Sequence, residues 1–268
     1  MAPGARLAVV TGAGSGIGRA AALRLARDGF TVVATDVRLE SAQATADAAG
    51  PPAHALALDV RDEAAWERAF TALPPLPLAV LVNAAGITGF GAVPGGQDPE
   101  SLTLETLRAV LGVNLEGVVL GCRHAIRAMR DAGGGGEGGS IVNVASRAGT
   151  LGVPGAVAYA ASKAAVISVS RSVAVHCAGA GYPVRCNTVV PGAIDTPMWS
   201  AVLGDGPDRA ERAARVAADV PLGRMGTAEE VAEAIAWLAS EASSYVTGTE
   251  LVLDGGLAAA TPTAPRTK

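Results

Sequence analysis

Along the 268 residues, short apolar runs rich in β-branched side chains alternate with longer stretches whose apolar positions recur every three or four residues. The runs are Leu7–Thr11 (LAVVT), Thr31–Thr35 (TVVAT), His54–Val60 (HALALDV), Leu78–Asn83 (LAVLVN), Ser140–Ala145 (SIVNVA), Val184–Val190 (VRCNTVV) and Glu250–Leu253 (ELVL). Runs so short and so continuously apolar predict strands buried on both faces, the habit of parallel sheets. Gly18–Gly29, Asp62–Leu73 and Thr106–Arg130 carry the helical spacing between them. The alternation predicts an α/β fold: one single-domain, Rossmann-type, doubly wound parallel sheet of about seven strands with helices on both faces, spanning residues 1–256. No domain boundary or internal repeat interrupts it.

Three stretches break the pattern: Thr88–Ser101, the glycine run Gly133–Gly139, and Thr196–Gly226. The glycine run reads as a flexible surface turn. The last stretch follows a strand end and mixes Met198 and Trp199 with an amphipathic piece around Arg209–Val216, so a substrate lid is expected over about 196–226. The tail 257–268, small and proline-rich, is expected to be mobile.

Charge narrows the partners. The 21 Lys and Arg are scattered among 25 Asp and Glu, leaving a net charge of −4 and no basic cluster for nucleic acid. Cys122, Cys177 and Cys186 form no C-x-x-C pair, and no leader-like segment opens the chain, so a reduced, cytoplasmic protein is expected. No apolar run approaches the ~20 residues that span a bilayer, so no membrane partner is expected.

After the first strand, VVTGAGSGIGRAAALRLA sets Gly12, Gly16 and Gly18 before a helix. Missing side chains there let a pyrophosphate approach backbone N–H groups at the positive helix end, although such turns also occur with no ligand. Asp36 ends the second strand, eighteen residues after Gly18. A carboxylate at that place accepts hydrogen bonds from ribose hydroxyls and repels a 2′-phosphate, unless it is only a solvated strand-end acid. Ser15 brings no cation into the turn, which favours NAD over NADP, while Arg38 argues slightly the other way. Asp59 and Val60, and Asn83 to Gly86, fall on the same carboxyl edge and are candidates for adenine and ribose contacts or ordinary turn chemistry.

These segments, taken with GVNLEG, IVNVAS, YAASK and VVPGAIDTPM, resemble the short-chain dehydrogenase/reductase family in order and spacing from Leu7 to Gly256. The resemblance implies hydride transfer between NAD(P) and an alcohol or carbonyl, and usually a homotetramer. It implies that Tyr159 gives or takes the proton, that Lys163 lowers the tyrosine pKa, that Ser146 holds the substrate oxygen, and that Asn114 steadies a water leading to Lys163. The implied cofactor contacts are Gly12, Ser15, Ile17, Gly18, Asp36, Asp59, Val60, Asn83, Ala84, Gly86, Tyr159, Lys163, Pro191, Gly192, Ile194 and Thr196. The stretch before Met198 resembles a subgroup that oxidises secondary alcohols or hydroxysteroids, but Val190 stands where a histidine is frequent.

The residues themselves fit that chemistry. On a helix Lys163 shares a face with Tyr159, and an adjacent cation favours phenolate, with an oxidised nicotinamide bringing the further positive charge the tyrosine needs, although such a pair is often only two neighbours. Ser146, thirteen residues before Tyr159, carries a hydroxyl at a strand end on the ligand-binding edge. His54, His124 and His176 lie in no nucleophile-elbow setting, which sets hydrolysis aside, and no cluster has metal-ligand spacing. Small Ala148, Gly149 and Gly152 with Val153, Met198 and Trp199 suggest a roomy apolar pocket for an alicyclic or steroid-like secondary alcohol. Two rivals stand beside an NAD-linked dehydrogenase: an NADP-linked carbonyl or 3-oxoacyl reductase, which Asp36 disfavours, and a dinucleotide sensor, which has no use for a full Ser/Tyr/Lys set.

Overall fold

The computed structural model describes residues 6–90, 96–131 and 138–260. Most of the glycine run, and the tail from residue 261, therefore lie outside the described residues. The chain alternates β1 (Leu7–Thr11), α1 (Gly16–Arg27), β2 (Thr31–Asp36), α2 (Leu39–Ala49), β3 (His54–Ala57), α3 (Glu63–Thr71) and β4 (Leu78–Asn83). There follow α4 (Leu104–Leu111), a π turn (Gly112–Glu116), α5 (Gly117–Asp131), β5 (Gly139–Val144), α6 (Val157–Gly179) and β6 (Val184–Pro191). The last part holds β7 (Ile194–Asp195), α7 (Ser200–Leu203), α8 (Arg209–Ala218), β8 (Gly226–Thr227), α9 (Ala228–Ala239) and β9 (Glu250–Leu253).

Seven strands pair in parallel in the order β3-β2-β1-β4-β5-β6-β9. The chain winds outward from β1 to β3, then returns to the other side of β1, so a switch point opens between the carboxyl ends of β1 and β4. Because successive side chains point to opposite faces, one strand feeds two cores. Ala8, Val10, Val32 and Val82 meet Ala21, Leu25, Val231 and Ile235 of α1 and α9. Leu7, Val9, Val33 and Leu81 meet Cys122, Ala125, Val166 and Ile167 of α5 and α6. This double burial explains the unbroken apolar runs.

Three features depart from the sequence reading. The third strand stops at Ala57, which leaves Leu58 to Val60 as a turn. A second, two-stranded sheet joins Ile194–Asp195 to Gly226–Thr227 and ties together the two ends of the 196–226 excursion. The stretch Leu104–Arg130 is also apolar and long enough, by length and composition, to cross a bilayer, although half of its most apolar window is buried inside the fold.

His124, on α5, lies stacked on Trp66 with ring centroids 6.0 Å apart, and its buried Nε2 has no hydrogen-bond partner. Burial, helped by Arg123 and Arg127, pushes its pKa below the ordinary value, against weaker opposition from Glu67 and Glu63. The unfolded chain takes up a proton near pH ~6.5 that the fold refuses, so stability falls as pH drops below that value. Urea unfolding at pH 7.5 and 5.5 should show the loss in the wild-type chain and a flatter response in His124→Phe.

Candidate active site

β1 ends in a glycine turn that the strand order forces against the end of β4. Gly12 has φ +63°, and a Cβ there would stand 2.7 Å from the Ala85 Cα, so only glycine suits both the turn and the approach. A Cβ on Gly18 would strike the Gly12 carbonyl, which keeps the first turn of α1 close to the strand. Helix α1 then starts at Gly16 with its free N–H groups at the turn.

Asp36 closes this end. Its Oδ2 accepts the Gly14 N–H at 3.1 Å and its Oδ1 the Arg38 N–H at 3.0 Å, so the carboxylate is fixed in place with lone pairs to spare. Its side chain is 13% exposed, whereas that of Arg38 is 69% exposed and its Nε stands 4.0 Å from Asp36. Beyond β3, Asp59 is bound by Arg61 at 2.6 Å, and that guanidinium holds the Asp59 carboxyl below its ordinary pKa.

A cavity of about 980 Å³ runs from this turn along the carboxyl edge of the sheet. Every residue implied as a cofactor contact lines it except Asn83. Asn83 is turned into the sheet's other side, where Nδ2 donates to Asn143 Oδ1 at 2.8 Å. Ala148, Val153, Met198 and Trp199 line the far end; Gly149 and Gly152 do not. Arg61, Arg147, Val202 and Leu257 also line the cavity and were not singled out from sequence. Only the immediate neighbourhood of Asp59 and Ser146 could have pointed to the two arginines.

At the middle of the cavity β5 and α6 bring three side chains together. Ser146 caps a 3₁₀ turn by accepting the Ala148 N–H at 3.2 Å, which leaves its own O–H to donate on the Tyr159 side of the cavity. Tyr159 stands half-buried on the first turns of α6. The Lys163 ammonium lies 5.7 Å from the Tyr159 ring centroid and donates to the Val144 carbonyl at 2.8 Å. Lys163 is 4% exposed, and desolvation lowers its pKa to about 8.

The expected lowering of the tyrosine pKa does not appear in the chain alone. Burial raises Tyr159 above its ordinary value, and the Ser146 hydroxyl only partly opposes this. The reason is burial, which disfavours phenolate, while the ammonium makes its hydrogen bond to the Val144 carbonyl.

Asn114 does not line the cavity. It sits in the π turn, whose extra residue rotates it inward, and its amide joins two elements. Its Nδ2 donates to the Ile87 carbonyl and to Ser162 Oγ, each at 2.9 Å, and its Oδ1 accepts the Ile87 N–H at 2.8 Å. A Cβ on Gly86 would lie 3.4 Å from Asn114 Oδ1 and 3.5 Å from Lys163 Nζ, so the amide and the ammonium flank the same glycine.

A cradle that a Cβ would fill, a helix N-terminus and a fixed carboxylate fit a dinucleotide. Gly12, Ser15, Gly16, Ile17 and Gly18 would hold its pyrophosphate, Asp36 its ribose, and Pro191, Gly192, Ile194 and Thr196 its reactive ring. With Ser146, Tyr159 and Lys163 on the adjoining wall, the class defined is a nicotinamide-dependent oxidoreductase of CH–OH groups.

Comparison with known proteins agrees. A family model described as enoyl-(acyl carrier protein) reductase matches residues 12–258. The chain is 42% identical over 257 residues to the uncharacterized oxidoreductase YgfF of Escherichia coli, covering 93% of this chain and 99% of that protein. It is 42% identical over 261 residues to cis-4-hydroxycyclohexanecarboxylate dehydrogenase of Sinomonas cyclohexanicum, covering 95% and 97%. The crystal structure of levodione reductase superposes with a TM-score of 0.83 at 36% identity, covering 96% of this chain and 98% of that one. The chain belongs to the short-chain dehydrogenase/reductase family.

Proposed function

We propose that this protein is an NAD(H)-dependent dehydrogenase interconverting an alicyclic or hydroxysteroid-like secondary alcohol and its ketone, with Tyr159 as acid and base. The observation that carries the reading is the convergence of Ser146, Tyr159 and Lys163 on one cavity wall beside the glycine turn. The alicyclic preference is supported by the apolar far end of the cavity, built by Val153, Met198, Trp199 and Val202, and by similarity to cis-4-hydroxycyclohexanecarboxylate dehydrogenase.

In this reading the alcohol oxygen accepts a hydrogen bond from Ser146, whose own lone pair is engaged by the Ala148 N–H. Tyr159 takes the hydroxyl proton during oxidation and returns it during reduction. Lys163, anchored on the Val144 carbonyl, sets the field beneath the tyrosine ring. A bound nicotinamide supplies the carbon that accepts or returns the hydride. Asn114 holds the Ile87 segment to α6 and flanks Gly86 together with Lys163, where, as the family resemblance implies, it would steady a water leading to Lys163. The 196–226 excursion, hinged at the two-stranded sheet, covers the substrate as a lid. The working unit is a homotetramer, as the family resemblance implies, and its three unpaired cysteines support a reduced, cytoplasmic setting.

Turnover of a panel of cyclic and open-chain secondary alcohols and ketones with NAD(H) and NADP(H) tests the reading, and absence of any alcohol or ketone turnover would end it. NAD preference is supported by the fixed Asp36 carboxylate, while the exposed Arg38 beside it is a cation that could favour NADP. Asp36→Asn keeps the acceptor for Gly14 and removes the charge. The ratio of kcat/KM for NADH over NADPH should fall by roughly tenfold, about 1.4 kcal/mol of discrimination. An unchanged ratio would remove Asp36 as the discriminator.

A further inference from the structure

One charged side chain of the cavity has no task in the chemistry above. Arg147 follows Ser146 directly and lines the same cavity, its side chain 19% exposed. Its nearest opposite charge is Asp254, with Nη1 3.6 Å from Oδ2, beyond hydrogen-bond reach. That carboxylate is already engaged: Oδ1 accepts the Gly256 N–H at 3.0 Å and Oδ2 the Ala258 N–H at 2.6 Å. Among the described residues Arg147 donates no side-chain hydrogen bond, and its Nη1, paired with Asp254 by charge at 3.6 Å, is buried without a hydrogen-bond partner.

A guanidinium carries five donors in a rigid fork that matches a carboxylate. The Asp254 charge at 3.6 Å offsets part of the cost of sinking such a group into a wall, but it engages none of the donors, which remain for a second anion that meets them at hydrogen-bond distance. The other charges of the cavity lie elsewhere or are occupied. Asp36, Arg38, Asp59 and Arg61 stand at the nucleotide end after β2 and β3, and Lys163 is bonded to Val144. Asp219, just past α8, is exposed, so water and salt screen its charge.

We propose that the secondary alcohol taken by this site carries a carboxylate, and that Arg147 binds it while Ser146 and Tyr159 hold the carbinol oxygen. Adjacency in sequence fixes the two recognition points on one short turn, so the anion orients the ring and determines which carbinol faces the tyrosine. This inference rests on the dehydrogenase reading above.

The test compares cyclohexanol, 4-hydroxycyclohexanecarboxylate and its methyl ester as substrates in steady-state kinetics with NAD. The wild-type protein should favour the free acid over both neutral compounds by roughly tenfold or more in kcat/KM, mainly through KM. In Arg147→Gln that preference should collapse, and Arg147→Lys should restore part of it. Equal wild-type use of acid and ester overturns the assignment, and so does a variant that loses activity equally on all three compounds. Failure to turn over any of the three, or any other alcohol, would instead defeat the dehydrogenase reading itself. The wild-type comparison needs no variant, so a poorly folding Arg147→Gln protein leaves the test standing.

Discussion

Tyr159→Phe should lower turnover of any accepted alcohol by roughly 10²–10⁴-fold while dinucleotide binding persists, the span expected when a positioned acid and base is removed. The substitution deletes one oxygen and keeps the ring that Lys163 underlies at 5.7 Å. In the free protein burial holds the phenol protonated above its ordinary range, with Ser146 pulling weakly the other way. Lys163 alone therefore does not make a base of it. A cationic nicotinamide held at this site would supply the missing positive field, and the working pKa would then belong to the complex with the oxidised cofactor. The difference in ultraviolet absorbance between wild type and Tyr159→Phe isolates this phenol from Tyr182 and Tyr245. Its titration should lie above that of free tyrosine in the protein alone and fall when NAD⁺ is added. Wild-type turnover in Tyr159→Phe would sink the mechanism, whereas a phenol that ignores NAD⁺ would sink only the account of its activation.

That dependence marks where sequence reading succeeds and where it stops. The strands Leu7–Thr11, Leu78–Asn83 and Glu250–Leu253 coincide with their apolar runs, because strands buried on both faces leave an uninterrupted signal. The glycine turn, Asp36, Ser146 and the Tyr159–Lys163 pair were legible because their spacing reflects local geometry: a strand end, a turn, four residues on a helix. What depended on three-dimensional surroundings was not legible. The i,i+4 spacing counts the Lys163 charge but shows neither the Val144 carbonyl that takes its hydrogen bond nor the burial that raises Tyr159 in the chain alone. Asn83 shares a motif with Ala84 and Gly86, yet strand alternation turns its side chain onto Asn143 and away from the cavity. The π turn that rotates Asn114 inward has no sequence period of its own. Strands of two residues, such as Ile194–Asp195 and Gly226–Thr227, are too short to carry one. Arg147 belongs to no motif, and its burial beside an already engaged Asp254 shows only in three dimensions.

Lys163→Met should cost roughly a hundredfold or more in turnover and yet leave the fold at least as stable as the wild type at pH 7. The ammonium is 4% exposed, and its pKa is lowered from 10.5 to about 8 by desolvation alone. At about 1.36 kcal/mol per unit, keeping that charge inside costs about 3 kcal/mol at neutral pH. The hydrogen bond to the Val144 carbonyl, lost in the variant, is worth about 1.5–3 kcal/mol when its donor is charged. The hydrogen bond offsets half or all of that cost, and the apolar methionine side chain suits a site closed to water, so the net change lies between zero and about 1.5 kcal/mol in the variant's favour. The pH dependence separates this from chance. Between about pH 8 and the unfolded value near 10.4, the unfolded chain holds a proton that the folded wild type has released. Wild-type stability therefore rises with pH across that window relative to Lys163→Met, and the full penalty is present below it. Urea unfolding of both proteins at pH 7 and pH 9.5 reads the effect directly. A variant destabilised by more than about 1 kcal/mol at pH 7, or a difference that ignores pH, would mean that Lys163 is held by interactions strong enough to offset its burial.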